Sequence, residues 1–174
     1  MMSFIKKLKT YKIKKGKFYS SGLHLDIVLK NKISFEVSFD ASCLESIPLP
    51  DNYDINKVYG FSDSYSHHKY SARVGWRCVD ITEGKIELVT YCYVNGIRIP
   101  EFTLCKVLPG QIAKITIENT PYSYNFTCDN GDILTSNKVV KDKAHRWFLK
   151  YKLYPYHGGT YPAPHDMKIM ITKI

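Results

Sequence analysis

The chain has 174 residues, 44% hydrophobic and 24% charged, with 25 Lys+Arg against 16 Asp+Glu and a formal net charge of +9. That balance supports one packed domain and excludes wholesale disorder; no run approaches the ~20 apolar residues of a membrane-spanning helix. The positive excess predicts attraction to an anionic partner.

Residues 1–16 are lysine-rich and read as a basic arm or an edge strand ahead of a domain over 17–174. Their first seven residues lack the apolar stretch of a signal peptide, so cytoplasmic synthesis is expected. From there the dominant period is two, the mark of half-buried strands. Ile33, Phe35, Val37 and Phe39 alternate with Ser34, Glu36 and Ser38, and a short turn follows near residues 41–46. Ala72, Val74, Trp76 and Cys78 alternate with Ser71, Arg73, Gly75 and Arg77. Across 86–94, Ile86, Leu88, Thr90, Cys92 and Val94 share one face, and Glu87, Val89, Tyr91 and Tyr93 the other. Asn95-Gly96 is a strong two-residue hairpin signal, leading into Ile97-Arg98-Ile99 and a bend at Pro100.

Farther along, Ala113, Ile115 and Ile117 form one stripe, and Tyr122, Tyr124, Phe126 and Cys128 another. A turn cluster, Asp129-Asn130-Gly131-Asp132, comes next. Trp147, Leu149, Tyr151 and Leu153 alternate with Phe148, Lys150, Lys152 and Tyr154; Met167, Ile169 and Ile171 mark a last strand. Strands with a turn every dozen or so residues predict a single all-β domain, an antiparallel sandwich. The five cysteines form no CxxC pair and read as reduced; Cys78 and Cys92 lie on apolar stripes.

Three stretches are rich in chemistry: 60–77, 87–93 and 153–166. Parity places Ser71, Arg73, Gly75 and Arg77 opposite Trp76, and Tyr91 and Tyr93 opposite Leu88 and Cys92. If the two strands neighbour one another, a Ser-Arg-Tyr-Tyr face results, with Gly75 leaving room above it. Tyrosine rings lie against the apolar face of a sugar, and arginine forks grip carboxylates. The plain alternative is a solvated face with Arg–Tyr packing.

His67, His68, His157 and His165 sit in loop-like segments, without HxH, HExxH or Cys/His spacing, so no metal and no cofactor are expected. A histidine bonded to backbone, or one shuttling a proton, is the more natural reading. Gly158-Gly159 lacks the phosphate-loop pattern and predicts a tight turn or bulge before the last strand. Lys138, Lys141, Lys143, Lys150 and Lys152 read as a soluble rim, with an anionic-polymer track as the alternative, and no motif supports specific nucleic-acid reading.

Three of these motifs together resemble the concanavalin A-like jelly roll, and within it the polysaccharide lyases acting on glucuronan or alginate. Lys57-Val58-Tyr59-Gly60-Phe61 followed by Ser71-Ala72-Arg73-Val74-Gly75-Trp76-Arg77 is similar to that family's glycine-containing strand and Ser-x-Arg-x-x-Trp-Arg strand. Glu87 to Tyr93 resembles the next strand with its Tyr-x-Tyr pair. Tyr156-His157-Gly158-Gly159 with Ala163-Pro164 resembles the terminal Phe-Phe-Gly-Gly…Ala-Pro element. The resemblance spans about residues 57–171. It departs at a longer hairpin between Arg77 and Glu87, and at His157, where an aromatic is usual.

The resemblance implies β-elimination on a uronic-acid polymer. Arg73, Tyr91, Tyr93 and His157 would be catalytic: Arg73 pairing with the substrate carboxylate, the tyrosines or a histidine moving protons. Ser71, Arg77, His67, His68 and Tyr156 would bind substrate. The expected partner is an acidic polysaccharide or another anionic ligand, with homo-oligomer formation left open. Two other readings stand beside it: a non-enzymatic decoration module of a phage or virus particle, and an intracellular binder of anionic metabolites or nucleotides.

Overall fold

Alternating apolar residues can all be buried only if two sheets press their apolar faces together, and this chain does so. The computed structural model describes residues 8–22, 24, 26–44, 54–78, 81–145, 147 and 149–174. Its strands are β1 (Leu8–Ile13), β2 (Ile27–Val28), β3 (Lys32–Phe39), β4 (Asn56–Ser62), β5 (Ser71–Arg77), β6 (Ile86–Val94) and β7 (Ile97–Ile99). Then come β8 (Thr103–Val107), β9 (Ala113–Asn119), β10 (Ser123–Asp129), β11 (Leu134–Val140), β12 (Lys150–Leu153) and β13 (Met167–Lys173). One sheet runs β1-β13-β3-β9-β10-β11; the other runs β2-β12-β4-β5-β6-β7, with β8 also beside β6. All recorded pairings are antiparallel.

The predicted stripes meet between the sheets. Phe39 of β3 packs on Trp76 of β5 with ring centroids 5.4 Å apart, and Phe61 of β4 on Tyr124 of β10 at 6.1 Å. Ile115, Ile117, Phe126, Ile169 and Ile171 close one side of this core, and Val74, Leu88, Cys92 and Val94 the other. Each fully buried side chain of this size adds about 1.5–3 kcal/mol of hydrophobic stabilisation. The two residues Asn95 and Gly96 turn β6 into β7 with φ of 50° and 84°, the left-handed geometry that this hairpin needs.

The N-terminal segment enters the sandwich: β1 pairs along its length with β13, and residues 1–7 of the expected arm lie outside the described residues. The turn near 41–46 is a 3-10 helix over Ala41–Cys43, begun by Asp40 accepting from the Ser42 N–H; residues 45 and 46 lie outside the described ones.

Several expectations need correction. The strand read from Trp147 begins at Lys150, where pairing with Val28 starts, and Phe148 lies outside the described residues. Tyr122 is exposed ahead of β10. Lys141 and Lys150, read as rim residues, are buried at 4% and 6% exposure. Gly75 leaves no opening: a Cβ there would lie 2.3 Å from Ile55 Cγ2, so the glycine admits the close approach of Ile55. Strands β8 and β11 had no counterpart in the sequence reading.

Candidate functional site

The outer face of the second sheet carries the polar half of the alternation. Across β5 and β6, Ser71 faces Tyr93, Arg73 faces Tyr91, Gly75 faces Val89 and Arg77 faces Glu87. On the other side of β5, Gly60 faces Arg73 and Lys57 faces Gly75; β12 then sets Tyr151 opposite Ser62 and Leu153 opposite Gly60. The pairing shifts between Lys57 and Tyr59, a local irregularity that leaves Val58 and Tyr59 both buried while Lys57 stays on the outer face. A cleft of about 720 Å³ opens over this face, within the size range of small-ligand sites.

Its floor is Ser71, Arg73, Tyr91, Tyr93 and Lys57; one wall is the run Tyr151 to Tyr156; the β4–β5 connection supplies His67 and His68. Tyr19, Ser20, Gly22 and His24 close another side. No Asp or Glu lines the cleft among the described residues. Arg73 is 7% exposed; its Nη2 donates to the Tyr154 carbonyl at 2.9 Å, and no acceptor for its Nε lies among the described residues. Lys57 Nζ lies 4.7 Å from the Tyr91 ring centroid and 5.5 Å from that of Tyr156, while the Arg98 guanidinium lies 4.9 Å from the Tyr91 centroid. These cation–π contacts hold the positive groups in place on an aromatic floor.

Burial and mutual repulsion shape the ionisation. Burial draws Arg73 down to about 10, so it remains charged at neutral pH. Lys57 falls to about 8, first through burial and then through neighbouring Arg73. His67 falls to about 4 through burial, then the adjoining His68, Arg73 and Lys57, and is neutral at pH 7. Tyr91 rises to about 12 through burial and its hydrogen bond with Tyr93, so its phenol keeps its proton. Near the other side, Tyr154 donates to Asp26 Oδ2 at 2.5 Å and stacks on His24 at 4.4 Å. Lys152 and Lys173 also reach Asp26, and these hydrogen bonds hold its carboxyl well below the usual carboxylate range, led by that from Tyr154.

Of the residues singled out in the sequence, Ser71, Arg73, Tyr91, Tyr93, His67, His68 and Tyr156 gather at this one cleft. Two do not. His157 is 1% exposed and is not among the residues that line the cleft; its backbone N–H donates to the Phe18 carbonyl at 2.7 Å. Arg77 sits farther along the sheet, bound to Glu87 at 2.6 Å and Glu101 at 3.2 Å. Gly159 lies in a bend at φ 91°, and Gly158 N–H donates to Asn56 Oδ1 at 2.7 Å.

Sequence reasoning missed Lys57, Tyr151, Tyr154 and His24. Lys57 had a usable signal, since it stands three residues before Gly60 in the quoted strand, but the bulge masks its parity. Among the described residues no cluster of three or more His, Cys, Asp or Glu could hold a metal ion.

Two antiparallel sheets in this arrangement are a concanavalin A-like jelly-roll sandwich. No known sequence family matches the chain, and no curated protein matches it by sequence. Among solved structures it is similar to an alginate lyase from Klebsiella pneumoniae, with a TM-score of 0.59 and 10% identity over 80% of this chain. The chain spans 56% of that lyase's length. A family 18 polysaccharide lyase gives 0.55 and 8% identity, covering 97% of this chain and 86% of the other. A family 16 glycoside hydrolase from Bacteroides ovatus, of a mixed-linkage glucan system and bound to a product, gives 0.55 and 7%, covering 100% and 84%. Likeness at these identities shows the fold.

Proposed function

We propose that the cleft binds an acidic polysaccharide through its uronate carboxylates and supports β-elimination on it. The observation that carries this reading is a ligand-sized cleft holding Lys57 and Arg73, with no carboxylate among the described residues that line it. Glycoside hydrolysis ordinarily needs two carboxyl groups flanking the scissile bond. A cleft of cations, phenols and imidazoles is instead suited to an anionic sugar. Polysaccharide lyases and a glycoside hydrolase share the fold, and of the two chemistries only elimination works without that acid pair.

In this mechanism Arg73 and Lys57 hold the C6 carboxylate and stabilise the negative charge that develops on it as the C5 proton leaves. The C5–H bond breaks and its proton passes to a base. The electron pair becomes the C4–C5 double bond as the C4–O bond breaks, and a phenol protonates the departing oxygen. Tyr91, held protonated at neutral pH, suits the acid role, and neutral His67 retains a lone pair for the base role. Tyr93, Tyr151 and Tyr156 offer ring faces to neighbouring sugars.

The test is incubation with polyglucuronate and alginate, read as ultraviolet absorbance of unsaturated uronate, with a neutral β-glucan as control. Replacing both Tyr91 and Tyr93 by Phe should cut turnover by about 100-fold or more while leaving binding largely intact. Unchanged turnover in that variant, or reducing-end release from the neutral glucan alone, would overturn the assignment.

A further inference from the structure

A second, smaller cavity of about 260 Å³ lies where the β2–β3 connection, the β9–β10 turn and the segment leading into β12 converge. Asn31, Asn119, Thr120, His145, Trp147 and Lys150 shape it. It shares no lining residue with the cleft, and the proposed function makes no use of it.

Its polar groups are out of balance. Lys150 is buried as a residue, at 6% exposure, and the one hydrogen bond of its ammonium among the described residues goes to Asn31 Oδ1 at 2.9 Å. No described carboxylate lies within ion-pairing distance of it. The nearby acid, Asp63, is already committed: Lys141 Nζ sits 3.0 Å from its Oδ2 with both side chains at 0% exposure, and also donates to Asn119 Oδ1 at 2.6 Å and the Thr120 carbonyl at 2.7 Å. His145 Nε2 donates to the Asp63 carbonyl, and lies 3.8 Å from Asp63 Oδ2. Of these two buried lysines, only Lys141 has a carboxylate partner among the described residues. Both asparagine side-chain oxygens accept from those ammonium groups, and no described residue accepts from their amide N–H groups, which stay open to solvent or a ligand.

A buried charge of this kind costs free energy unless it is paired. A cavity rich in donors, beside an ammonium without a counter-ion, is complementary to an oxyanion. We propose that this cavity is a second ligand site that takes a small oxyanion, a carboxylate or phosphate group held by Lys150 and the Asn31 and Asn119 amides. Its volume falls just below the ~300–1,000 Å³ of ordinary ligand sites, so the occupant is an inorganic oxyanion or a single acid-bearing ring. Trp147, on the cavity wall, supplies an aromatic face for such a ring.

The experiment uses the full chain, titrated separately with inorganic phosphate, glucuronate and glucose at constant ionic strength. Binding is followed by tryptophan fluorescence, in which Trp147 responds over a constant background from buried Trp76, and by melting temperature. Phosphate or glucuronate should give a saturable change and a higher melting temperature, and glucose neither; the stronger of the two anions identifies the source. Lys150→Met should weaken the response at least tenfold and raise the melting temperature of the anion-free protein, because it removes an uncompensated buried charge. Asn31→Ala with Asn119→Ala should also weaken the response while retaining Lys150. Arg73→Met should leave the Trp147 response intact, which separates failure of this site from failure of the cleft. No saturable response to either anion, or an undiminished response in Lys150→Met, would overturn the proposal.

Discussion

Replacing Arg73 by Met isolates the charge that the cleft reading depends on. Methionine keeps much of the stem volume of this residue, itself 7% exposed, and removes the guanidinium, whose Nη2 bonds the Tyr154 carbonyl and whose Nε has no acceptor among the described residues. A hydrogen bond to a charged partner contributes about 1.5–3 kcal/mol, so affinity for a short uronate oligosaccharide should fall roughly ten- to 150-fold. Loss of the Tyr154 bond costs about 1 kcal/mol of stability, a shift of roughly 2–4 °C in melting temperature for a chain of this size, which leaves the variant folded. Calorimetric titration at low salt and at physiological salt measures both the affinity and its screening. Wild type should weaken markedly with salt, and the variant much less. A neutral glucan oligosaccharide of equal length should bind the two proteins alike. Affinity for the uronate within about twofold of wild type, or an equal loss for the neutral ligand, would refute the carboxylate-pairing argument.

Lys57 predicts opposite pH trends for binding and stability. Below about 8 its ammonium is charged and attracts the anion; as pH rises through 8 the charge is lost, and affinity should drop by roughly tenfold between pH 7 and 9.5. Lys57→Arg, which stays charged, should flatten that fall. For folding, the lowered value means the unfolded chain holds the proton more tightly between about 8 and 10.5, so this group's share of stability rises across that window, as denaturant midpoints would register. Lys141→Met strands buried Asp63 and should cost about 3–5 kcal/mol, with most recovered when Asp63→Asn is added; a double variant no better than the single one in urea unfolding would count against the pairing. Gly60→Ala would put a Cβ 2.1 Å from the Ala72 carbonyl and 2.6 Å from Arg73 Cα, both backbone atoms, and should destabilise by about 3 kcal/mol or more. An unchanged unfolding midpoint would show that the sheet yields there.

The most legible part of the molecule was the pair β5 and β6. Each buries one face completely, so period two appears without interruption, and a correct parity fixes which residues share the outer face. Strand β11 was illegible for the opposite reason: as an edge strand it buries only Val139, and Leu134 and Val140 are exposed. β8 carries Leu104, Cys105 and Val107 all buried beside a register shift at Leu88/Val89, which breaks the alternation. Lys141 and Lys150 were misplaced because lysine is almost always exposed, and only long-range partners, Asp63 and Asn31, show otherwise. The burial of His157 was illegible likewise, since nothing local reveals its 1% exposure or its backbone bond to Phe18. Strand faces are written in neighbouring letters. Loop burial depends on residues a hundred positions away.

Strand β5 interleaves two duties, one letter at a time: Ala72, Val74 and Trp76 turn inward while Ser71 and Arg73 meet the ligand side. Inserting or deleting a single residue there would exchange the two sets, delivering the indole to solvent and the guanidinium to the interior. The segment can therefore change by replacement yet not by length. New specificity would have to arise in the connections around it, where the walls contributed by His67, His24 and Tyr156 can lengthen or shorten without disturbing the sheet.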